Sequence, residues 1–405
     1  MAPPGGQELP PGGRREVVLV QISVIHPDDL GPAEIAAWHS LQAGTDALAN
    51  PFLSPEFTIA VGRRRPGARV AVLADGPVIT GFLPFERRRL GLGVPIAAGL
   101  TDCQGLIHAP GMDWDPRTLL RACNVSVWQF DHLVAGQKPF ERYQAAVLPS
   151  PVIDIADGYS AYYQALKSSA PRFCSGVARK ARKFEREAGK LRFVPDSSDV
   201  GALHSLMAWK SDQYRRTGRV DRFSRAWVVA LLEALLGTRT DRFSGMLSVL
   251  YAEDVPVAVH FGIRSERVMA YWFPAYNTSY GAYSPGLIHI LRMVEAAAVD
   301  GVQLVDLGKG AKRYKEITKS RDIFVAEGVV TRRSPLAAAH WARGVSAAWA
   351  IRQIRGHPPL LNAFDHLFRR YGQIRSTLPG PRAVPLPVEN VPRKGEPSEP
   401  ATFPP

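Results

Sequence analysis

Asp306-Leu-Gly-Lys-Gly-Ala-Lys-Arg-Tyr-Lys-Glu316 is entered from a short apolar run beginning at Val302, and a helix precedes that run. A carboxylate at a strand end, two glycines and then Lys312, Tyr314 and Lys315 put polar chemistry where α/β folds bind ligands. The helix ahead of it opens Tyr283-Ser284-Pro285-Gly286. Ser284 suits an N-cap, Pro285 suits the first helical turn, and Gly286 lets another group approach the backbone. Free N–H groups at such a terminus attract an anion such as a pyrophosphate. Together these features point to a site for an acyl-carrier cofactor.

Working outward, the helix Leu287 to Val299 is apolar almost all round, broken by His289, Arg292 and Glu295, so it should lie buried against a sheet. Gly301 stops it, and a strand Gln303 to Leu307 follows. Ahead of the helix, Leu247 to Ile263 reads as two strands around a turn, and Val268 to Phe273 as a third after Ser265-Glu266. The earlier stretch Val70 to Phe85, with its turn at Asp75-Gly76, repeats the two-strand plan. Pro77 aligns with Pro256 there, which sets Gly81 against His260. Each hairpin follows a long, mainly helical segment, so the chain reads as a tandem duplication.

At 405 residues, 46% hydrophobic and 21% charged, the chain has the length for two globular domains. Cys103, Cys123 and Cys174 have no CxxC spacing and cannot all pair, which favours a reducing compartment and argues against a cysteine-rich metal site. No 18-residue apolar run exists: Trp227 to Leu236 and Pro335 to Ile351 are interrupted by Glu233, His340 and Arg343. Met1 to Gly13 lacks the apolar core of a signal peptide, so a cytoplasmic location is expected. The net charge of +13 is concentrated. Residues 172–192 carry eight Lys/Arg against two Glu, residues 331–405 eleven against four acids, and the remainder is neutral overall. In the first of these, Phe173, Val177, Ala181, Phe184 and Ala188 form an apolar stripe opposite Arg179, Lys183, Arg186 and Lys190: an amphipathic helix with a cationic face.

The Arg/Lys-rich helix, the Tyr-Ser-Pro-Gly helix start after a three-stranded meander, and Asp-Leu-Gly-Lys-Gly…Tyr-Lys converge on one family. The chain resembles the GNAT-type acyltransferases of the CelD-like, cellulose-biosynthesis group, which are related to the FemAB aminoacyl transferases. The resemblance covers roughly residues 17–330 and is strongest over 160–325; Asp306, Gly308, Gly310, Tyr314 and Lys315 match the family segment position by position. It implies an α/β (mixed α+β sheet) fold with tandem GNAT-like acyl-CoA N-acyltransferase domains. The expected organisation is a flexible leader (1–15), a degenerate first domain (16–155), an acyltransferase domain (156–331), a helical extension (332–375) and a disordered Pro-rich tail (376–405). The implied chemistry is direct transfer of an acyl group from acetyl-CoA, a co-substrate, to an amine of a sugar or cell-envelope polysaccharide precursor. The usual Gly-rich pyrophosphate cradle is absent, and Ser284-Pro285-Gly286 stands in its place.

Site candidates follow, each with a purely structural alternative. Ser284, Gly286 and Leu287 at the helix start would hold the cofactor, or simply cap the helix. His260 shares its strand face with Ala258 and Gly262, small neighbours that leave room for a substrate, and a neutral histidine suits an ammonium substrate as base; a hydrogen-bonded interior histidine fits as well. Asp306 would orient a histidine or bind the amine, or else cap its own turn. Tyr314 would give a proton to thiolate, or pack its ring. Lys312 and Lys315 would meet cofactor phosphates, or be solvated. The aromatic segment Tyr271 to Tyr283 suits packing, carbohydrate stacking or a pantetheine wall, and the basic helix suits an anionic substrate, tRNA, a membrane surface or solvent. No metal-ligand spacing, P-loop or nucleophile elbow is present. A tRNA-dependent aminoacyl transferase and a non-catalytic accessory protein of exopolysaccharide synthesis remain as rival readings.

Overall fold

The computed structural model describes residues 21–310 and 312–332, with Ser334, Pro335 and Ala338 beyond them. The leader expected over 1–15, nearly all of the extension over 332–375 and the tail over 376–405 lie outside the described residues.

The first half of the chain runs β1 (Gln21–Ile25), α1 (Pro32–Ala43), α2 (Pro55–Gly62), β2 (Ala68–Asp75), β3 (Val78–Arg87), β4 (Leu92–Pro95), β5 (Ile107–His108), α3 (Pro116–Ala122), β6 (Val127–Val134), α4 (Lys138–Glu141) and β7 (Gln144–Asp154). Two helices then connect the halves, α5 (Gly158–Ser169) and α6 (Pro171–Ala188). The second half runs β8 (Leu191–Val194), α7 (Val200–Arg216), α8 (Ala226–Leu236), β9 (Ser244–Ala252), β10 (Val255–Arg264) and β11 (Val268–Tyr276). It closes with α9 (Pro285–Val299), β12 (Leu304–Asp306), α10 (Arg313–Thr318) and β13 (Arg321–Thr331).

Apart from the short β5, both halves have one order: strand, two helices, three strands, helix, strand, helix, strand. The sheet carries the duplication further. Its strands lie in the order β1-β2-β3-β4-β6-β13-β7-β12-β11-β10-β9-β8, with β5 paired to β3. The first half of that series mirrors the second, with one exchange at the centre. β13 pairs with β6, and β7 pairs with β12. Each repeat therefore completes the other's sheet, and β13 and β7 pair along their length in the middle. Dividing the chain at residue 155 separates the sequence but not the sheet.

Both hairpins turn through two residues, with Asp75 opposite Val78 and Ala252 opposite Val255. Both also bulge at the third residue of their second strand, Thr80 and Val257. Aligning the halves by turn and bulge corrects the proline alignment by two positions: Pro77 sits in its turn, whereas Pro256 sits inside β10, before the stretch paired to β11. The counterpart of His260 is therefore the buried Leu83, not Gly81.

Apolar residues from both halves share one core. Trp38 and Phe57 of the first half and Leu203, Leu231 and Phe261 of the second are each at most 1% exposed within it. Trp272 stands edge-on to Phe52 (5.1 Å) and donates its indole N–H to the Leu100 carbonyl (2.8 Å), so a β11 side chain is gripped by the first half. On the opposite face α9 buries Ile288, Ile290, Leu291 and Val294, as its all-round apolar pattern predicts. The amphipathic α6 covers that layer through Cys174, Val177 and Phe184 and leaves Arg179, Lys183 and Arg186 exposed.

Candidate active site

β11 is paired to β12 only from Val268 to Ala270, because β12 ends at Asp306. Beyond that point β11 runs on to Tyr276 with β10 on its other edge, and the chain after Asp306 turns away into α10. The two parallel strands thus part. Two adjoining cavities open at the gap. The smaller, about 260 Å³, is lined by Tyr271, Pro274 and Tyr276 of β11 and by Ser284, Gly286 and Leu287 at the start of α9. The larger, about 860 Å³, lies between the halves, from Gly99 and Asp102 of the first to Arg219, Arg222 and Lys315 of the second. Tyr271, Pro274, Lys312, Tyr314, Lys210 and Gln213 line both, so the two form one cleft.

The start of α9 differs from the expected cap. Ser284 lies in the left-handed region (φ 55°, ψ 54°), and its side chain makes no hydrogen bond to the helix. Its hydroxyl instead accepts a hydrogen bond from the Lys180 ammonium of α6 (2.7 Å). This corrects the N-cap reading: an N-cap has extended backbone, which aims its oxygen at the next amides. The result is a lysine fixed beside the positive end of a 15-residue helix, an arrangement that an incoming anion would stabilise. The Gly286 amide has no acceptor among the described residues, and a Cβ on Gly286 would already touch the Tyr276 ring at 3.4 Å. Gly286 and Leu287, expected from the sequence to hold the cofactor, face the smaller cavity.

His260 faces neither part of the cleft. It is 1% exposed, its ring stacks on Tyr271 (4.3 Å), and its Nδ1 lies 3.3 Å from Ser248 Oγ. Gly262 does leave room, but the His260 ring fills it: a Cβ there would sit 2.8 Å from Cε1. Burial, and behind it the neighbouring His289, holds the His260 pKa well below the usual imidazole range. His289 is the member of this buried group that reaches the smaller cavity; its Nε2 donates to the Ser248 carbonyl (3.1 Å). Burial pushes its pKa down to about 4.

Asp306 is also buried and does not line the cleft. Its carboxylate accepts from the Gly308 amide (2.9 Å), from Asn50 Nδ2 (2.9 Å) and from the Ser150 hydroxyl (3.3 Å). It caps its own turn and ties that turn to the first half. Burial raises its pKa to about 6, partly opposed by the Gly308 hydrogen bond. Lys315 supports the same loop, donating to the Gly308 carbonyl (2.8 Å) while lining the larger cavity. Burial lowers its pKa. Tyr314 stands where the two cavities meet, and burial pushes its phenol up to about 12, so it keeps its proton at neutral pH.

Lys210 was not singled out by sequence reasoning. It projects from α7 at 7% exposure, lines both cavities and donates to Gln213 Oε1 (2.9 Å). Burial first, then the nearby cations Lys312, Arg219 and Arg222, bring its pKa down to about 7. A signal for it exists in the sequence: Leu203, Leu206, Met207 and Lys210 share one helix face, so a lysine occupies a core position. Among the described residues no group of His, Cys, Asp and Glu is arranged to hold a metal ion, and no helix is long and apolar enough to cross a membrane.

Residues 172–316 match the family model of the acetyltransferase (GNAT) domain. The chain carries a GNAT acyltransferase domain. That segment runs from α6 through the splayed strands to α10 and includes every cleft residue of the second half named above. No curated protein matches the chain significantly. Solved structures resemble the chain at low identity. A tandem GNAT protein from the clavulanic acid biosynthesis pathway is 10% identical, with 77% of this chain and 98% of that one covered and a TM-score of 0.45. The C-terminal domain of a putative lysylphosphatidylglycerol synthetase from Agrobacterium fabrum is 9% identical, over 77% and 95%, at 0.46. FemX is 11% identical, over 65% and 87%, at 0.44.

Proposed function

We propose that the chain transfers an acetyl group from acetyl-CoA to an amine by direct attack within one ternary complex. The observation that carries this reading is the cleft itself: a helix N-terminus with an open Gly286 amide and an adjacent lysine at one end, joined past Tyr314 to a larger cavity at the other. The residues fit the co-substrate. The Gly286 amide and Lys180 suit its pyrophosphate, and the β11 edge beyond Ala270 offers backbone groups to an amide-bearing arm. Acetyl-CoA supplies the activated acyl group, and the acceptor nitrogen bonds to its carbonyl carbon as the carbon–sulfur bond breaks.

The protein's part is proton handling and positioning. Lys210 in its neutral form takes the proton of the entering ammonium group. Tyr314 gives its phenolic proton to the departing thiolate and regains one from the nitrogen as the amide forms. Holding both reactants in one cleft lowers the barrier by making the attack effectively unimolecular. His260 and Asp306 act behind the cleft, positioning Tyr271 and the Gly308 loop. The sequence resemblance directs the acceptor towards a sugar or polysaccharide precursor of the cell envelope.

Calorimetry of the full chain with acetyl-CoA tests the reading. Binding is expected, with loss of at least tenfold in affinity in Gly286→Asp, whose carboxylate would occupy the anion site; a wild-type protein that does not bind acetyl-CoA refutes it. A second reading, aminoacyl transfer from tRNA, draws support from the exposed Arg179, Lys183 and Arg186 face of α6. It requires that charge reversal at Arg179 and Lys183 abolish turnover while leaving acetyl-CoA binding intact.

A further inference from the structure

The larger cavity is lined by seven lysine and arginine side chains against one carboxylate, Asp102. Several of these cations are already engaged. Lys315 holds the Gly308 carbonyl, Lys210 holds Gln213, and Arg88 lies 3.7 Å from Glu86. The side chains of Arg219, Arg222 and Lys312 have neither an ion-pair partner nor a hydrogen-bond acceptor among the described residues. The lone carboxylate offsets one charge at most: burial raises the Asp102 pKa against the pull of His132, 3.7 Å away, and then of Lys315 and Arg222. The repulsion reaches Lys210, where Lys312, Arg219 and Arg222 each disfavour the ammonium form. Like charges gathered in a recess this way raise the local concentration of anions, and a bound anion relieves their repulsion.

We infer that the acceptor amine carries phosphate, and that Arg219, Arg222 and Lys312 seat that phosphate in the larger cavity. Guanidinium forks match phosphate oxygens in pairs, and lysine adds a point charge. The volume, about 860 Å³, suits a small molecule with room beyond the phosphate. Trp272, Phe273 and Leu100 supply an apolar wall for the remainder of it. The donor's phosphates are assigned elsewhere, since Gly286 and Ser284 face only the smaller cavity. This inference rests on the acyl-transfer reading above for the word acceptor; the phosphate seat itself is separable from it.

Calorimetric titrations of the full chain with inorganic pyrophosphate and, separately, with acetyl-CoA distinguish the two. In Gly286→Asp, where the donor's own pyrophosphate site is closed, pyrophosphate is expected still to bind, and at least tenfold more weakly once Arg219→Gln/Arg222→Gln is added. Lys312→Gln, on a different element, should weaken it as well. Acetyl-CoA should show the reverse pattern, lost in Gly286→Asp and within about twofold of wild type in the arginine variant. Glucosamine 6-phosphate should displace pyrophosphate, and glucosamine should not. The phosphate seat is overturned if pyrophosphate does not bind, if its binding follows Gly286→Asp, or if the two sugars compete equally. Should the arginine variant lose acetyl-CoA instead, the cavity holds the donor's phosphates and the inference is again overturned. Absence of acetyl-CoA binding with the pyrophosphate pattern intact would sink the donor reading alone.

Discussion

Asp306 and Lys210 are buried ionisable residues of opposite kind, and each sets a measurable pH dependence. A carboxyl whose folded pKa is about 6 binds its proton more tightly in the native state than in the unfolded chain. Its contribution is therefore complete at low pH and is lost as pH rises between about 4 and 6. Relative to Asp306→Asn, the wild-type unfolding free energy should fall by about 3 kcal/mol over that window, measured by denaturant titration at successive pH values. Parallel curves would rule the assignment out. Lys210 works the other way: its depressed pKa leaves it neutral above about pH 7, so turnover should rise through that pH. Lys210→Met and Lys210→Arg should both remove this limb of the kcat profile and cost about 100-fold in rate.

The residue assignments also show what a sequence can and cannot disclose. Ser284, Gly286, Leu287 and Tyr314 were identifiable because turns and helix starts are set by neighbours in the chain, and all four line the cleft. His260 and Asp306 were placed on the right elements, yet both face inward, because side-chain direction there is decided by Tyr271, Ser248, Asn50 and Ser150, which lie far off in sequence. Arg219 and Arg222 escaped notice because a charge count balances them against Asp212 and Asp221, whereas the fold turns the arginines towards the cavity.

At the scale of elements, the start of α9 combines local strain with an unneutralised charge. Placing serine in the left-handed region costs on the order of 1 kcal/mol, a cost glycine escapes. Ser284→Gly should therefore raise stability by up to about 1 kcal/mol in thermal or denaturant unfolding. It also removes the hydroxyl that positions Lys180, so acetyl-CoA should bind more weakly to the more stable variant. A variant that is both more stable and equally tight would show that Lys180 plays no part. The hairpin elements were legible from alternation and turns. Their mutual register was not, because Pro77 and Pro256 look alike in sequence but occupy a turn and a strand.

At the scale of the molecule, the duplication was visible as two similar hairpins, while the exchange of final strands was invisible. Nothing local distinguishes a strand that pairs within its own repeat from one that pairs with the other. The exchange forbids separation of the halves. Residues 156–405 expressed alone lack β7, the antiparallel partner of β12, and should be insoluble or unfolded by circular dichroism. Co-expression with residues 1–155 should restore a soluble complex on size-exclusion chromatography. Independently folded halves would contradict the shared core that joins Trp38 and Phe57 to Leu203 and Leu231.

The central position of β13 also bears on how the chain is made. It occupies residues 321–331 yet inserts between β6 and β7, both synthesised more than 160 residues earlier. On the ribosome those two strands must wait with open edges while the second repeat emerges, a span of roughly 10–30 s at ordinary elongation rates. The middle of the sheet is thus the last part to close. A pause or truncation before Arg321 would leave the two strands that flank the missing one competent to pair with a neighbouring nascent chain, so the chain's exposure to misassembly is greatest just before synthesis of its final described strand.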